Sequence, residues 1–95
     1  MSVKQSISII NEEGLHFRAW LKLVRAASRY VSEVRITRLG VSVDAKEMGS
    51  LVRLLRGAGE VHCGGVIEIE ATGCDAEEAV KALCEQVENR FGEER

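Results

Sequence analysis

The stretch Gly14-Leu15-His16-Phe17-Arg18 holds residue types that can move a phosphoryl group. Its histidine sits where a strand-like run gives way to a helix-like one, and Arg18 follows within the first turn of that helix. A helix start presents backbone N–H groups without intrahelical partners and the positive end of the helix dipole, which together bind anions. The same dipole disfavours an imidazolium. A histidine there stays neutral and nucleophilic near neutral pH, its unperturbed pKa being about 6.5. A phosphoryl group on the ring would lie against those amides and near Arg18, whose planar, permanently charged guanidinium matches phosphate oxygens. Gly14 permits the tight turn into the corner. No metal-ligand cluster or acid–base pair is evident near the motif, so the expected chemistry is reversible transfer rather than hydrolysis. A histidine at a helix start also serves as a plain cap or surface residue, and these five residues alone leave both roles open.

His62, Cys63 and Cys74 are the other groups that could bind something, but their spacing matches no established metal site. No metal and no cofactor are expected. Cys63, Cys74 and Cys84 are odd in number and lack CxxC spacing, which argues against a disulfide framework and for a reducing compartment. The opening MSVKQSISII lacks the apolar region of a signal peptide, and no apolar run approaches bilayer-spanning length. A cytoplasmic location and no membrane association are expected.

The elements that must position the histidine can be read from periodicity. The 95 residues are enough for a single domain, residues 1–95, with one real core. Aromatics are limited to Phe17, Trp20, Tyr30 and Phe91, so that core must be mainly aliphatic. Ser2–Ile10 alternates like a strand, and Asn11–Gly14 is a polar turn region. A helix is predicted from near His16, with Phe17, Trp20, Leu21, Val24 and Ala27 on its apolar face and Tyr30-Val31 at its end. Glu33–Arg38 and Val41–Asp44 alternate on either side of Leu39-Gly40 and read as a hairpin. A shorter helix is predicted over Lys46–Arg56, followed by a glycine-marked loop and a strand over Val66–Ala71. A third helix should begin at Asp75, with Glu78 completing a capping box, and the segment Gly92–Arg95 should fray. The order β-α-β-β-α-β-α, with a hairpin in the middle, points to an α+β fold: a mainly antiparallel sheet with helices on one face.

The run GLHFRAW, after a first strand and opening the first helix, resembles the GLHARPA motif of the HPr phosphocarriers of the sugar phosphotransferase system. The resemblance spans nearly the whole chain and includes VSVDAK at a strand end and the helix MGSLVRLL. It implies an open-faced β-sandwich of four antiparallel strands and three helices. It also implies that His16 accepts phosphate at Nδ1 from phosphorylated enzyme I, with Arg18 as the active-site arginine. The implied partners are enzyme I and a downstream phosphoryl-acceptor protein. The apolar face of the second helix, with Met48 and Leu51, resembles the docking surface. The implied role is that of a stoichiometric carrier rather than a turnover enzyme, and the chain is expected to be a monomer.

The chain departs from the family pattern in several places. Ala19 replaces the proline after the arginine, which makes the corner less rigid. Phe17 and Trp20 replace small residues: Trp20 is expected to anchor the core, and Phe17 to reshape docking. Glu47 stands where many members carry a regulatory serine, and its carboxylate suits a helix start in its own right. The loop RGAGEVHCGG is a few residues longer than usual. These departures motivate an alternative: a regulatory binding module of the same fold with weak or no transfer. The bases between His16 and Arg56 outnumber the acids Glu33, Asp44 and Glu47 there. That basic middle suits an acidic partner or is simply a solvated face. Nucleic-acid binding ranks last, because none of the predicted strands carries an aromatic for base stacking.

Overall fold

A computed structural model describes residues 1–95. The chain runs β1 (Ser2–Ser8), α1 (Phe17–Ala27), β2 (Glu33–Arg38), β3 (Val41–Asp44), α2 (Ser50–Ala58), β4 (Val66–Thr72) and α3 (Ala76–Glu88). A short 3-10 turn, Arg90–Gly92, follows. The strands form one antiparallel sheet in the order β1-β4-β2-β3. This is the antiparallel sheet with helices on one face that the order of elements points to, and the open-faced sandwich that the resemblance implies.

Strand alternation decides which face of the sheet is covered. Val34 and Ile36 of β2, Val43 of β3, and Ile67, Ile69 and Ala71 of β4 are all buried and share one face. Beneath the helices they meet Trp20, Leu23, Val24, Leu51, Leu54, Val80, Leu83 and Val87 in a single core. The opposite face carries Lys4, Glu68 and Glu70, joined by long, exposed ion pairs that contribute little to stability. The hairpin turns at Leu39 and Gly40, both at positive φ, as a two-residue turn with strand-matching twist requires.

Several boundaries differ from the periodic reading, and polar side chains account for most of them. β1 stops at Ser8, and Ile9 instead exchanges backbone bonds with the loop before β4, Ile9 N–H to Gly65 O and Gly64 N–H to Ile9 O. α1 ends at Ala27 rather than near Tyr30, because Asp75 draws the chain away: its carboxylate accepts the N–H groups of Val31 and Ser32, each at 2.9 Å, and the Ser32 hydroxyl. Asp75 thereby ties the end of α1 to the start of α3 and makes no side-chain cap to α3, so the capping box expected with Glu78 does not form. α2 begins at Ser50, not Lys46, because Asp44 Oδ1 takes the Lys46 N–H at 2.8 Å and holds residues 45–49 in turns. The buried face of α1 is also rotated from the predicted one. Ala19, Leu23 and Ala26 are buried, Leu21 is half-buried, and Phe17 is 64% exposed. Gly92–Arg95, expected to fray, is tied down: Phe91 just before it is buried in the core with its carbonyl on the Lys22 ammonium, while Glu93 N–H bonds Arg90 O and Arg95 O accepts the Glu12 N–H, the last two bonds at 2.9 Å.

The Asp75 tether carries a testable pH signature. The Ser32 hydroxyl bond, helped by the Val31 and Ser32 amides, outweighs partial burial and holds the Asp75 carboxyl below the usual aspartate range. A depressed folded-state pKa means stability that is fully present above the unfolded value, about 3.9, and lost as pH falls through the folded value. Asp75→Asn is therefore expected to melt below wild type at pH 7. The gap should close as the pH drops into the range where Asp75 itself protonates, which thermal melts from pH 7 to pH 2 would follow.

Candidate functional site

His16 is the N-cap of α1, with extended backbone at φ −96° and ψ −178°. Its Nδ1 accepts the backbone N–H of Arg18 at 3.1 Å. A ring nitrogen that accepts an N–H bond bears no proton, so in the neutral ring the proton sits on Nε2. Nε2–H donates to Glu93 Oε2 at 2.6 Å, and Glu13 Oε2 lies 3.3 Å from the same nitrogen. The ring is thus sorted into an unprotonated Nδ1 at the anion-binding end of a helix and a protonated Nε2 facing carboxylates.

Gly14 and the loop before β4 build the corner. Gly14 has φ +74°, the left-handed region, and Leu15 N–H bonds Val61 O at 2.8 Å. Val61 is buried, so the long loop closes over the strand-to-helix corner and braces it. A Cβ at Gly14 would overlap the Val61 carbonyl oxygen and stand 3.0 Å from His62 Cα. Gly14→Ala is expected to lose on the order of 2–4 kcal/mol, from left-handed strain plus disruption of the Leu15 bond. Gly40, at φ +81° with open space around it, isolates the strain alone. Gly40→Ala should lose only about 1 kcal/mol, and urea unfolding of the two variants separates the contributions.

Glu93 is held from behind. Asn11 is fully buried, and its amide donates to Gly14 O at 2.7 Å and to Glu93 Oε1 at 3.1 Å. Burial raises the Glu93 pKa, but the Asn11 and His16 hydrogen bonds and the nearby His16 and Arg18 charges outweigh it and hold the carboxyl below the usual glutamate range. Glu12 N–H bonds Arg95 O at 2.9 Å and pins the chain beyond Glu93.

Arg18 contributes mainly through its backbone here. Its guanidinium is exposed and 3.4 Å from Glu13 Oε2, not on His16. Phe17 projects beside the histidine over a recess shared with Leu51, Leu55 and His62. Leu51 is buried in the floor of that recess, while Met48 is half-buried and packs against the core. Glu47 is exposed; its carboxylate accepts the Ser50 hydroxyl and pairs with Arg53, each at 3.2 Å, and its carbonyl accepts the Trp20 indole N–H at 3.0 Å. Ser50 is itself fully buried.

One expectation is corrected here: a histidine–carboxylate pair does accompany the motif. Glu13 lies three residues from His16 and was within reach of a local reading, but Glu93 is 77 residues away and carries no local signal. Glu13, His16 and Glu93 together offer three donor atoms within 4.8 Å of one another. A cation there would need the lone pair of Nε2, which forces the ring proton onto Nδ1 and against the Arg18 N–H. The hydrogen bonds therefore join these groups to one another rather than preparing them for a metal ion.

Residues 3–89 match the family model described as the PTS HPr component phosphorylation site. The chain is 38% identical over 91 residues to phosphocarrier protein HPr of Cupriavidus necator, covering 96% of this chain and 97% of that one. It is 41% identical over 91 residues, with the same coverage, to phosphocarrier protein HPr of Neisseria meningitidis serogroup A. Its fold superposes on the crystal structure of HPr-C-His from Thermoanaerobacter tengcongensis with a TM-score of 0.87 at 34% identity, covering 98% and 99% of the two chains.

Proposed function

The chain belongs to the HPr family of the phosphotransferase system, and on that premise we propose that it carries a phosphoryl group on Nδ1 of His16, taken from phosphorylated enzyme I and passed to a downstream acceptor protein. The observation that carries this reading is the Arg18 N–H bond to Nδ1, which leaves that nitrogen unprotonated at the start of α1. In the transfer, the Nδ1 lone pair attacks phosphorus. The new N–P bond forms as the donor's bond to phosphorus breaks, and the donor keeps that electron pair. Arg18 N–H, freed from Nδ1, turns to a phosphoryl oxygen, and the other open amides of the first turn lie alongside. The Arg18 guanidinium is exposed and tied only to Glu13, so it can swing to the incoming dianion.

The docking face is the apolar patch beside His16: exposed Phe17, half-buried Leu55 and Met48, and the exposed flank of α2 at Val52. Arg53 and Arg56 border it with positive charge suited to an acidic partner. The carrier works stoichiometrically, as a monomer in the cytoplasm, without metal or cofactor of its own; no helix is long and apolar enough to cross a membrane. The test is intact mass after incubation with phosphoenolpyruvate, magnesium and a cognate enzyme I. One phosphoryl adduct, lost in mild acid, is expected. Absence of an adduct, where a control carrier acquires one, would overturn the proposal in favour of a docking module without transfer.

A further inference from the structure

We propose that Glu93 is a positioning residue for phosphoryl transfer: its carboxylate fixes the His16 proton on Nε2, which makes Nδ1 the nucleophile, and keeps that proton in place once Nδ1 is phosphorylated. The inference rests on the reading of His16 as the phosphoryl carrier. Its basis is geometric. Glu93 Oε2 lies 2.6 Å from Nε2, while Oε1 is held by the buried Asn11 amide, so the carboxylate is aimed from both oxygens. Asn11 also bonds Gly14 O, which links the acid to the same glycine corner that sets the helix start. The segment bearing Glu93 is anchored on both sides, by Phe91 in the core and by Arg95 O on Glu12 N–H.

The proton balance gives this contact a chemical consequence. Neutral His16 holds one proton, on Nε2. When Nδ1 bonds to phosphorus, the ring becomes an imidazolium unless Nε2–H dissociates. A carboxylate accepting that hydrogen bond favours the charged ring. The phosphoryl group is then attached to a cationic nitrogen, which departs as a neutral imidazole when the next acceptor attacks. Glu93 thus keeps the carrier in the form that passes the group onward without waiting for a proton. Other charges face the ring as well. Glu13 Oε2 stands 3.3 Å from Nε2 but is 58% exposed and paired with Arg18. Glu60 and His62 line the recess on the other side. Glu12, Glu94 and Arg95 lie beyond Glu93. Among these groups, only Glu93 has its second oxygen held by a buried donor.

Nitrogen-15 NMR of the ring tests this in Glu93→Gln, with Glu13→Gln as comparison. In the unphosphorylated wild type at mildly alkaline pH, the Nε2–H tautomer should dominate. In Glu93→Gln a measurable share should pass to the Nδ1–H tautomer. Glu13→Gln should change that balance by much less. The rate of phosphoryl release to an acceptor should fall in Glu93→Gln and change little in Glu13→Gln. The tautomer readout needs no enzyme I. If the wild type takes no phosphoryl group yet shows the tautomer and the shift, the carrier reading fails and the contact stands. If the wild type is phosphorylated but Glu93→Gln leaves tautomer balance and release rate unchanged, the role of Glu93 is overturned.

Discussion

His16→Asn is expected to accept no phosphoryl group from enzyme I while remaining folded. Asparagine is among the best N-cap residues, so its side chain replaces the acceptor that Nδ1 provides to Arg18 N–H. The helix keeps its start, and the Trp20 N–H bond to the carbonyl of residue 16 is untouched. What disappears is a nitrogen nucleophile with a free lone pair. His16→Ala should lose transfer equally and also about 1 kcal/mol of stability, the usual cost of an unmade cap. Intact mass reads the first effect and urea unfolding the second. An acid-labile adduct that survives in His16→Asn would move the site to His62, the one other histidine.

The second large effect is expected at Trp20. Its side chain is fully buried, and its indole N–H donates to Glu47 O across 27 residues. Truncating a buried aromatic to alanine costs about 3–5 kcal/mol, against a total stability of roughly 5–15 kcal/mol for a domain of ordinary size. Trp20→Ala should therefore sit close to its unfolding midpoint in mild urea. Trp20→Phe separates the two contributions: most of the bulk stays, the Glu47 carbonyl loses its partner, and the loss should be about 1 kcal/mol. Residues 45–49, which lead into α2, hang on that bond and on Asp44. Trp20→Phe should accordingly increase amide exchange at Glu47–Ser50 while leaving β2 and β3 protected. Uniform exchange across the domain would mean that the indole bond has no local role.

These residues also show where local reading succeeds and fails. The hairpin over Glu33–Arg38 and Val41–Asp44 folds with the predicted bounds, because alternation and a two-residue turn are set by neighbours in the chain. The helix ends do not. An amide at a helix terminus goes to whichever acceptor reaches it, and here those acceptors include Asp75 from 43 and 44 residues away. Periodicity puts Phe17 on one apolar face with Trp20, Val24 and Ala27, yet those three are buried together with Leu23 and Ala26 while Phe17 stays exposed. A residue in the first turn can satisfy an apolar pattern and still project past the edge of the sheet.

The order of elements, the single core and the histidine at the start of the first helix follow from short-range pattern: periods of two and 3.6, turn residues, and the open amides of any helix end. The protonation of the histidine does not follow from pattern. It depends on Glu93, carried to His16 because Phe91 buries in the core, Lys22 holds the Phe91 carbonyl and Asn11 holds the Glu93 carboxylate. The bracing of Gly14 by Val61 is likewise a meeting of distant segments. Such contacts form only when the apolar face of the sheet is covered, because the burial that drives packing decides which polar groups come within hydrogen-bonding range.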